Sequence, residues 1–280
     1  MEQKGGMEMP AAYAHDRLGR EIKKRVRAQE CAVIEKHWDL FTIGLQGPDI
    51  LFHYKPLRKN QVKELGHRTH DRPGRAFFEQ AARVMRENGG TQQHLAYLYG
   101  FLCHFALDVT CHGYVDETIA ASGVSHVEIE TEFDRMLMLR DGHDPIRHLV
   151  MAHMVPSRES AAVIAPFFEG VSGEQIQKAL NGMIRDGKWM RSPGEGKRKM
   201  LRAAFRLTGT YEEMHGLIVN REENPLCRDS TQRLWTLYQE AVCLGTRLIE
   251  EYSAYLAGEG ALSSVYDFNF GSKLVEATHH

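Results

Sequence analysis

No stretch of this 280-residue chain approaches the roughly 18 unbroken apolar residues that a membrane-spanning helix needs. Cysteine is sparse and unpaired in pattern. The five residues Cys31, Cys103, Cys111, Cys227 and Cys243 form an odd set without a Cys-x-x-Cys motif, which argues against a disulfide framework or a thiolate zinc site. Charge of one sign is also missing: 35 Lys+Arg stand against 37 Asp+Glu, so no basic surplus points to nucleic acid. Met1 is followed by a polar, Gly-containing stretch, not by a basic segment and an apolar one, and the expected location is therefore cytoplasmic. Strand-like alternation of apolar and polar residues is scarce throughout.

What the chain has in excess is histidine, and its distribution is uneven. Twelve of the fifteen lie from His15 to His153, leaving only His215, His279 and His280 beyond. A metal site would leave such a bias.

Helical periodicity accounts for most of the rest. Ala11, Ala14, Leu18, Ile22 and Val26 recur at steps of three and four, which predicts a helix over 11–29, continued over 31–42 until Gly44-Leu45-Gln46-Gly47-Pro48-Asp49 interrupts it with an ordered loop. A helix over 74–88 ends at Asn88-Gly89-Gly90, and Thr91 is placed to cap the next. From there to about Tyr114 the apolar residues fill most of the helical circumference, the mark of a buried central helix. Ser125 with Glu128 reads as a capping box opening a helix to Arg140, and a further helix is expected over 144–154. Later helices are expected near 158–168, 173–186, 197–207 and 229–257. The expected fold is all-α, with a metal-rich portion over 9–155 and a helical portion over 156–280 packed on it.

His104, Asp108 and His112 follow one another at four-residue steps, so they share one face of the central helix. His126 and Glu130 repeat that spacing in the next helix. An Asp and two imidazoles inside an apolar helix carry a desolvation cost of several kcal/mol each unless strongly paired, which makes a metal the economical explanation. Imidazole and carboxylate together suit zinc, although iron and manganese accept the same donors.

Taken in order, Ala14-His15, Gly44 to Ile50, Gly66-His67-Arg68-Thr69-His70, His104 to Asp108 with His112, and His126 to Glu130 resemble the zinc-dependent phospholipase C family. The resemblance covers about residues 9–135. It implies a multi-helix bundle around a cluster of two or three zinc ions. It places Asp49, His70, His104 and Asp108 on one zinc, with Asp108 bridging to a second that takes His15, and His112, His126 and Glu130 on the remaining ion. The implied reaction is hydrolysis of a phosphate ester or phospholipid by a metal-bridging hydroxide, with Asp49 as general base. His67 competes with His70 as a ligand, and His53 and Tyr54 are candidates for the substrate cleft.

Three departures from the family pattern bear on the reading. The secreted members supply the amine and carbonyl of a mature N-terminal tryptophan to one zinc; here the nearest analogue is Pro10 exposed by a start at Met9, so the His15 site is open to a two-metal alternative. The Asp108 to His112 step is two residues shorter. Ile50 stands where choline-selective members carry tyrosine, which removes one wall of an aromatic cage. An alternative function is a catalytically inactive metal-binding helical module with a partner or regulatory role. A nuclease activity is disfavoured, because basic and aromatic residues do not interleave near the ligands. His94, His143, His148 and His153 read as exposed or capping residues. Lys197-Arg198-Lys199, with Arg191, Arg202 and Arg206, reads as a solvated face or as a contact for anionic headgroups or phosphates.

Overall fold

Among the described residues twelve α-helices, joined by short 3-10 turns, carry the architecture: α1 Ala12–Lys23, α2 Ala28–Lys36, α3 Trp38–Gly44, α4 Gln61–Asp71, α5 Gly74–Glu87, α6 Gln92–Ser122, α7 His126–Arg140, α8 Arg158–Ile164, α9 Gly173–Met190, α10 Glu195–Thr208, α11 Tyr211–Met214 and α12 Arg228–Ala257. The computed structural model describes residues 12–87 and 89–275. Expectations placed on Met9, Pro10, Ala11, Asn88, His279 and His280 fall outside the described residues. Among those described there is no strand, only an isolated antiparallel bridge between Phe268 and Leu274. No helix among the described residues is long and apolar enough to cross a membrane.

The organising element is α6. Every residue from Ala96 to Asp108 is buried, as its all-round apolar sequence requires. Thr91 caps its start by accepting the His94 N–H, while the His94 ring turns back to the Thr91 N–H, so His94 serves as a capping residue. α12 and α3 pack most extensively against α6. The α3 crossing depends on two glycines: a Cβ on Gly44 would stand 2.1 Å from the Tyr97 carbonyl, and one on Gly100 would stand 2.2 Å from the Phe41 carbonyl. Backbone therefore lies against backbone, and the loop after α3 is drawn up to the middle of α6. The main core runs from Tyr13 to Phe270, and a smaller cluster joins Val127 to Met190, Leu201, Phe205, Met214, Leu217 and Ile218.

Several boundaries differ from the sequence expectation, each for a local reason. The helix expected over 11–29 turns at Lys24 and restarts at Ala28, which brings Ile34 back to the core; tertiary packing overrides the continuous period. α6 runs past Tyr114 to Ser122 and stops at Gly123, whose φ of 72° suits a helix C-terminus. No helix forms over 144–149: Pro145 follows Asp144, whose carboxylate accepts the Ile146 N–H, leaving a turn and a 3-10 segment at Val150–His153. Pro166 likewise ends α8 and leaves a 3-10 turn, Ala165–Phe167. Ser125 caps α7 as expected, but the reciprocal half of the box is absent, because Glu128 accepts from Asn224 at 2.8 Å instead.

Gly44→Ala and Gly100→Ala each force two helix backbones apart, and each is expected to cost about 1–3 kcal/mol or more. Urea denaturation followed by circular dichroism checks this; an unchanged midpoint for either would show that the crossing is not close-packed.

Candidate metal centre

Five elements of the chain converge on one cleft. α1 brings His15, the 3-10 turn Gly47–His53 brings Asp49, α4 brings His70, and α6 with α7 brings His104, Asp108, His112, His126 and Glu130. The turn after α3 is permitted by Gly47, whose φ is +51° and whose Cβ would fall 2.2 Å from the His104 ring. No side chain fits between that backbone and the imidazole, so Asp49 is delivered close to His104.

Potential ligand atoms gather in three groups, each within 4.8 Å: His15, His104 and Asp108; Asp49, His70 and His104; and His112, His126 and Glu130. Asp108, 3% exposed, stands at the centre. Its Oδ1 faces His15 Nε2 at 3.4 Å and His112 Nε2 at 3.8 Å, and its Oδ2 faces His104 Nε2 at 3.1 Å. Asp49 Oδ1 lies 2.9 Å from His70 Nε2. Glu130 Oε1 meets His112 Nε2 at 3.2 Å and His126 Nε2 at 3.0 Å. The His15 and His104 rings stack with centroids 4.1 Å apart.

The donor set fits a divalent metal on three observations. First, His70, His104 and His112 each turn Nδ1 to a backbone carbonyl, of Gly66 at 2.8 Å, Leu45 at 3.2 Å and Phe270 at 2.7 Å. A carbonyl only accepts, so Nδ1 carries the proton and Nε2 faces the carboxylates, the arrangement that outer contacts impose on metal-bound histidine. Second, His15 Nδ1 and Glu130 Oε2 are buried without a hydrogen-bond partner. Third, bonds of about 2.0–2.1 Å in a tetrahedron place ligand atoms about 3.3 Å apart, within the 2.9 to 3.8 Å range observed here.

Metal-free, the cluster holds protons instead. Burial alone would depress His70 and His112, but the Asp49 hydrogen bond and charge carry His70 up to about 9, and Asp108 and Glu130 carry His112 up to about 10. Burial opposes ionisation of Glu130, yet His126 and His112 bring it down to about 2. Asp49 and Asp108 are likewise held below the usual carboxylate range, against their burial, by His70 and His104 for the first and by His104 and His112 for the second.

The cleft is also lined by His67, Asp71, Asp116, Asn269, Gly271 and Lys273. The last three belong to a turn after α12 that no periodicity or ligand spacing marks as part of a site. It is tied to the ligand-bearing helices: Phe270 donates its N–H to the His70 carbonyl at 3.1 Å, and Ser272 Oγ donates to the Asp108 and Val109 carbonyls at 3.0 and 2.9 Å. His67 lies at the cleft, but Asp49 pairs with His70. His53 and Tyr54 do not line the cleft. His53 turns away from Asp49 into the core, where its Nδ1 meets Asp186 at 2.9 Å, and Tyr54 is buried with the Lys55 ammonium 5.1 Å from its ring. His143 and His148 stack on each other and edge on to Tyr13, and His153 faces Asp16 at 3.4 Å.

An all-helical chain folded around a buried histidine and carboxylate cluster belongs to the class of helical metalloproteins. Its family is specific: the chain belongs to the zinc-dependent phospholipase C family, whose model matches residues 11–182, more than half of the chain and a span within which the eight clustered residues lie. No curated protein and no solved structure matches it.

In the metal-free protein His70 and His112 stay protonated well above the ordinary imidazole value near 6.5. Their stabilisation is complete below pH 6.5 and is lost as pH rises through about 9 and 10. The thermal midpoint of chelator-treated protein is therefore expected to fall between pH 6.5 and 10. Zinc removes that fall, because it takes the place of the two protons; scanning calorimetry across the range, with and without zinc, tests both halves.

Proposed function

We propose that this protein is a zinc-dependent hydrolase of phosphate esters, phospholipase C-like, with a phosphodiester or phospholipid as substrate. The observation that carries the reading is that the ligand groups adjoin: His104 belongs to two of them, and Asp108, which belongs to one of these, also faces His112 of the third at 3.8 Å, so that more than one cation would sit beside the same carboxylate. His15, Asp49, His70, His104, Asp108, His112, His126 and Glu130 are the residues that would hold two or three zinc ions. Bound there, zinc supplies a Lewis acid for the phosphoryl oxygens and lowers the pKa of a water to near neutrality.

The remaining roles fall to the chain itself. Asp49, buried yet kept ionised beside His70, is placed to accept the proton of the attacking water and to orient it. The backbone carbonyls of Gly66, Leu45 and Phe270 orient three imidazoles with Nε2 towards the carboxylates before any ligand arrives. Phe52, whose ring stacks on His70 at 5.3 Å, and Phe270, 5.4 Å from the same ring, shield that side of the cluster from bulk water. Lys273 stands at the cleft paired with Asp116 at 3.2 Å, a cation within reach of a substrate phosphate. In this reading residues 9–155 form the metal-binding portion and 156–280 the helical portion packed on it, which adds the turn that closes the cleft.

Elemental analysis of protein purified without chelator is expected to return two or three zinc ions per chain, and fewer for His104→Ala. Absence of bound metal, with none taken up on adding zinc, removes the proposal. Asp49→Asn, with its fold verified by circular dichroism, is expected to lower turnover of a chromogenic phosphodiester by about a hundredfold or more. Full zinc occupancy without turnover of any phosphodiester or phosphomonoester would identify a metal-binding module that has no hydrolytic activity.

A further inference from the structure

A second cavity, of about 100 Å³, lies between α7, the 145–152 segment, α9 and the start of α10, and it shares no lining residue with the histidine cleft. Its walls are largely aliphatic and methionine side chains, among them Met138, Leu149, Met151, Ile184 and Met190. Into this lining the chain sets an arginine. Of the run Lys197-Arg198-Lys199 only Arg198 is buried, at 4% exposure, and it is the one that lines the cavity.

The guanidinium is not neutralised. Its Nη1 donates to the Val219 and Ser192 carbonyls at 2.8 and 3.4 Å. Among the described residues no carboxylate pairs with it: Glu195, whose charge reaches it, is engaged by Arg221 at 2.8 Å. The cavity's own carboxylate, Asp134, spends both oxygens on the Tyr13 and Ala14 N–H groups at the start of α1. Lys188, Arg191 and His148 add basic character to the lining. A buried guanidinium without a counter-charge is costly, and its geometry matches a two-oxygen anion.

We propose that this cavity is a binding site for a small organic anion, an oxyanion head carrying a short apolar group, with Arg198 taking the head and the aliphatic wall the tail. The volume sets the size of the guest. Space for several waters admits a short chain and excludes a diacyl lipid. A carboxylate and a phosphate monoester share this chemistry.

The test is isothermal titration of the full chain with hexanoate, hexyl phosphate and inorganic phosphate, repeated on Arg198→Met and Gly187→Leu. Gly187 lines the cavity, and a Cβ there meets only Met151 Cγ, at 3.6 Å, so leucine enters the space without striking backbone. At least one tailed anion is expected to bind the wild type saturably, and at least tenfold more weakly in each variant, with inorganic phosphate the weaker ligand throughout. Hexanoate alone would assign a carboxylate guest, and hexyl phosphate alone a phosphate monoester. The proposal is overturned if neither tailed anion binds, if binding survives Gly187→Leu, or if inorganic phosphate binds as tightly as hexyl phosphate. Should Arg198→Met fail to fold, Gly187→Leu decides.

Discussion

A single carboxylate sets the terms for the rest of this molecule. Asp108 sits one turn beyond His104 in a helix whose preceding residues from Ala96 are all buried, and its two oxygens face three imidazoles from two helices. An ionised carboxylate at such depth is tolerable only if positive charge surrounds it. In the metal-free state the protonated His112 supplies that charge, and divalent cations would supply it in the loaded one. Everything that brings His15, His70 and Glu130 to this point therefore stabilises the fold as well as the site.

The scaffold achieves that convergence by close backbone approach more than by side-chain bulk. Gly44 against α6, Gly100 against α3 and Gly47 against the His104 ring remove the atoms that would keep the Asp49 turn away. Aromatic packing then supports α6 from the other side: Phe77 stacks on Phe101 with centroids 4.0 Å apart, and Phe78, Phe105 and Phe270 extend the cluster. Phe270 joins the two functions, since its ring belongs to this core while its carbonyl orients His112. Packing and ligand orientation are therefore coupled, and a core substitution near Phe270 acts on the metal centre through one residue.

Much of this was legible in the order of residues. The four-residue steps from His104 to His112 and from His126 to Glu130 are a consequence of helical pitch, and the helices that carry them formed where periodicity placed them. Ser125 and Thr91 cap as their side chains dictate. Other readings failed where a single residue outweighed the pattern, as Pro145 did over 144–149 and Pro166 at the end of α8. His53 followed Asp49 closely enough to invite a place in the cleft, yet in a 3-10 turn four residues is more than one full turn, and its ring went to Asp186 instead.

Sequence by itself determined the all-helical class, the buried character of α6 and the supply of imidazole and carboxylate on its faces, because helical period and burial are local properties of side-chain order. Tertiary structure alone decided which of the histidines meet. It paired Asp49 with His70, put Asp108 between His15, His104 and His112, and brought Asn269 and Lys273 across from the far end of the chain. It also turned Arg198 inward from an otherwise solvated basic run. The physical reason is the same in each case: these contacts join residues tens to hundreds of positions apart, and only the packing of whole helices, set by close glycine contacts and a shared aromatic core, fixes which side chains face one another.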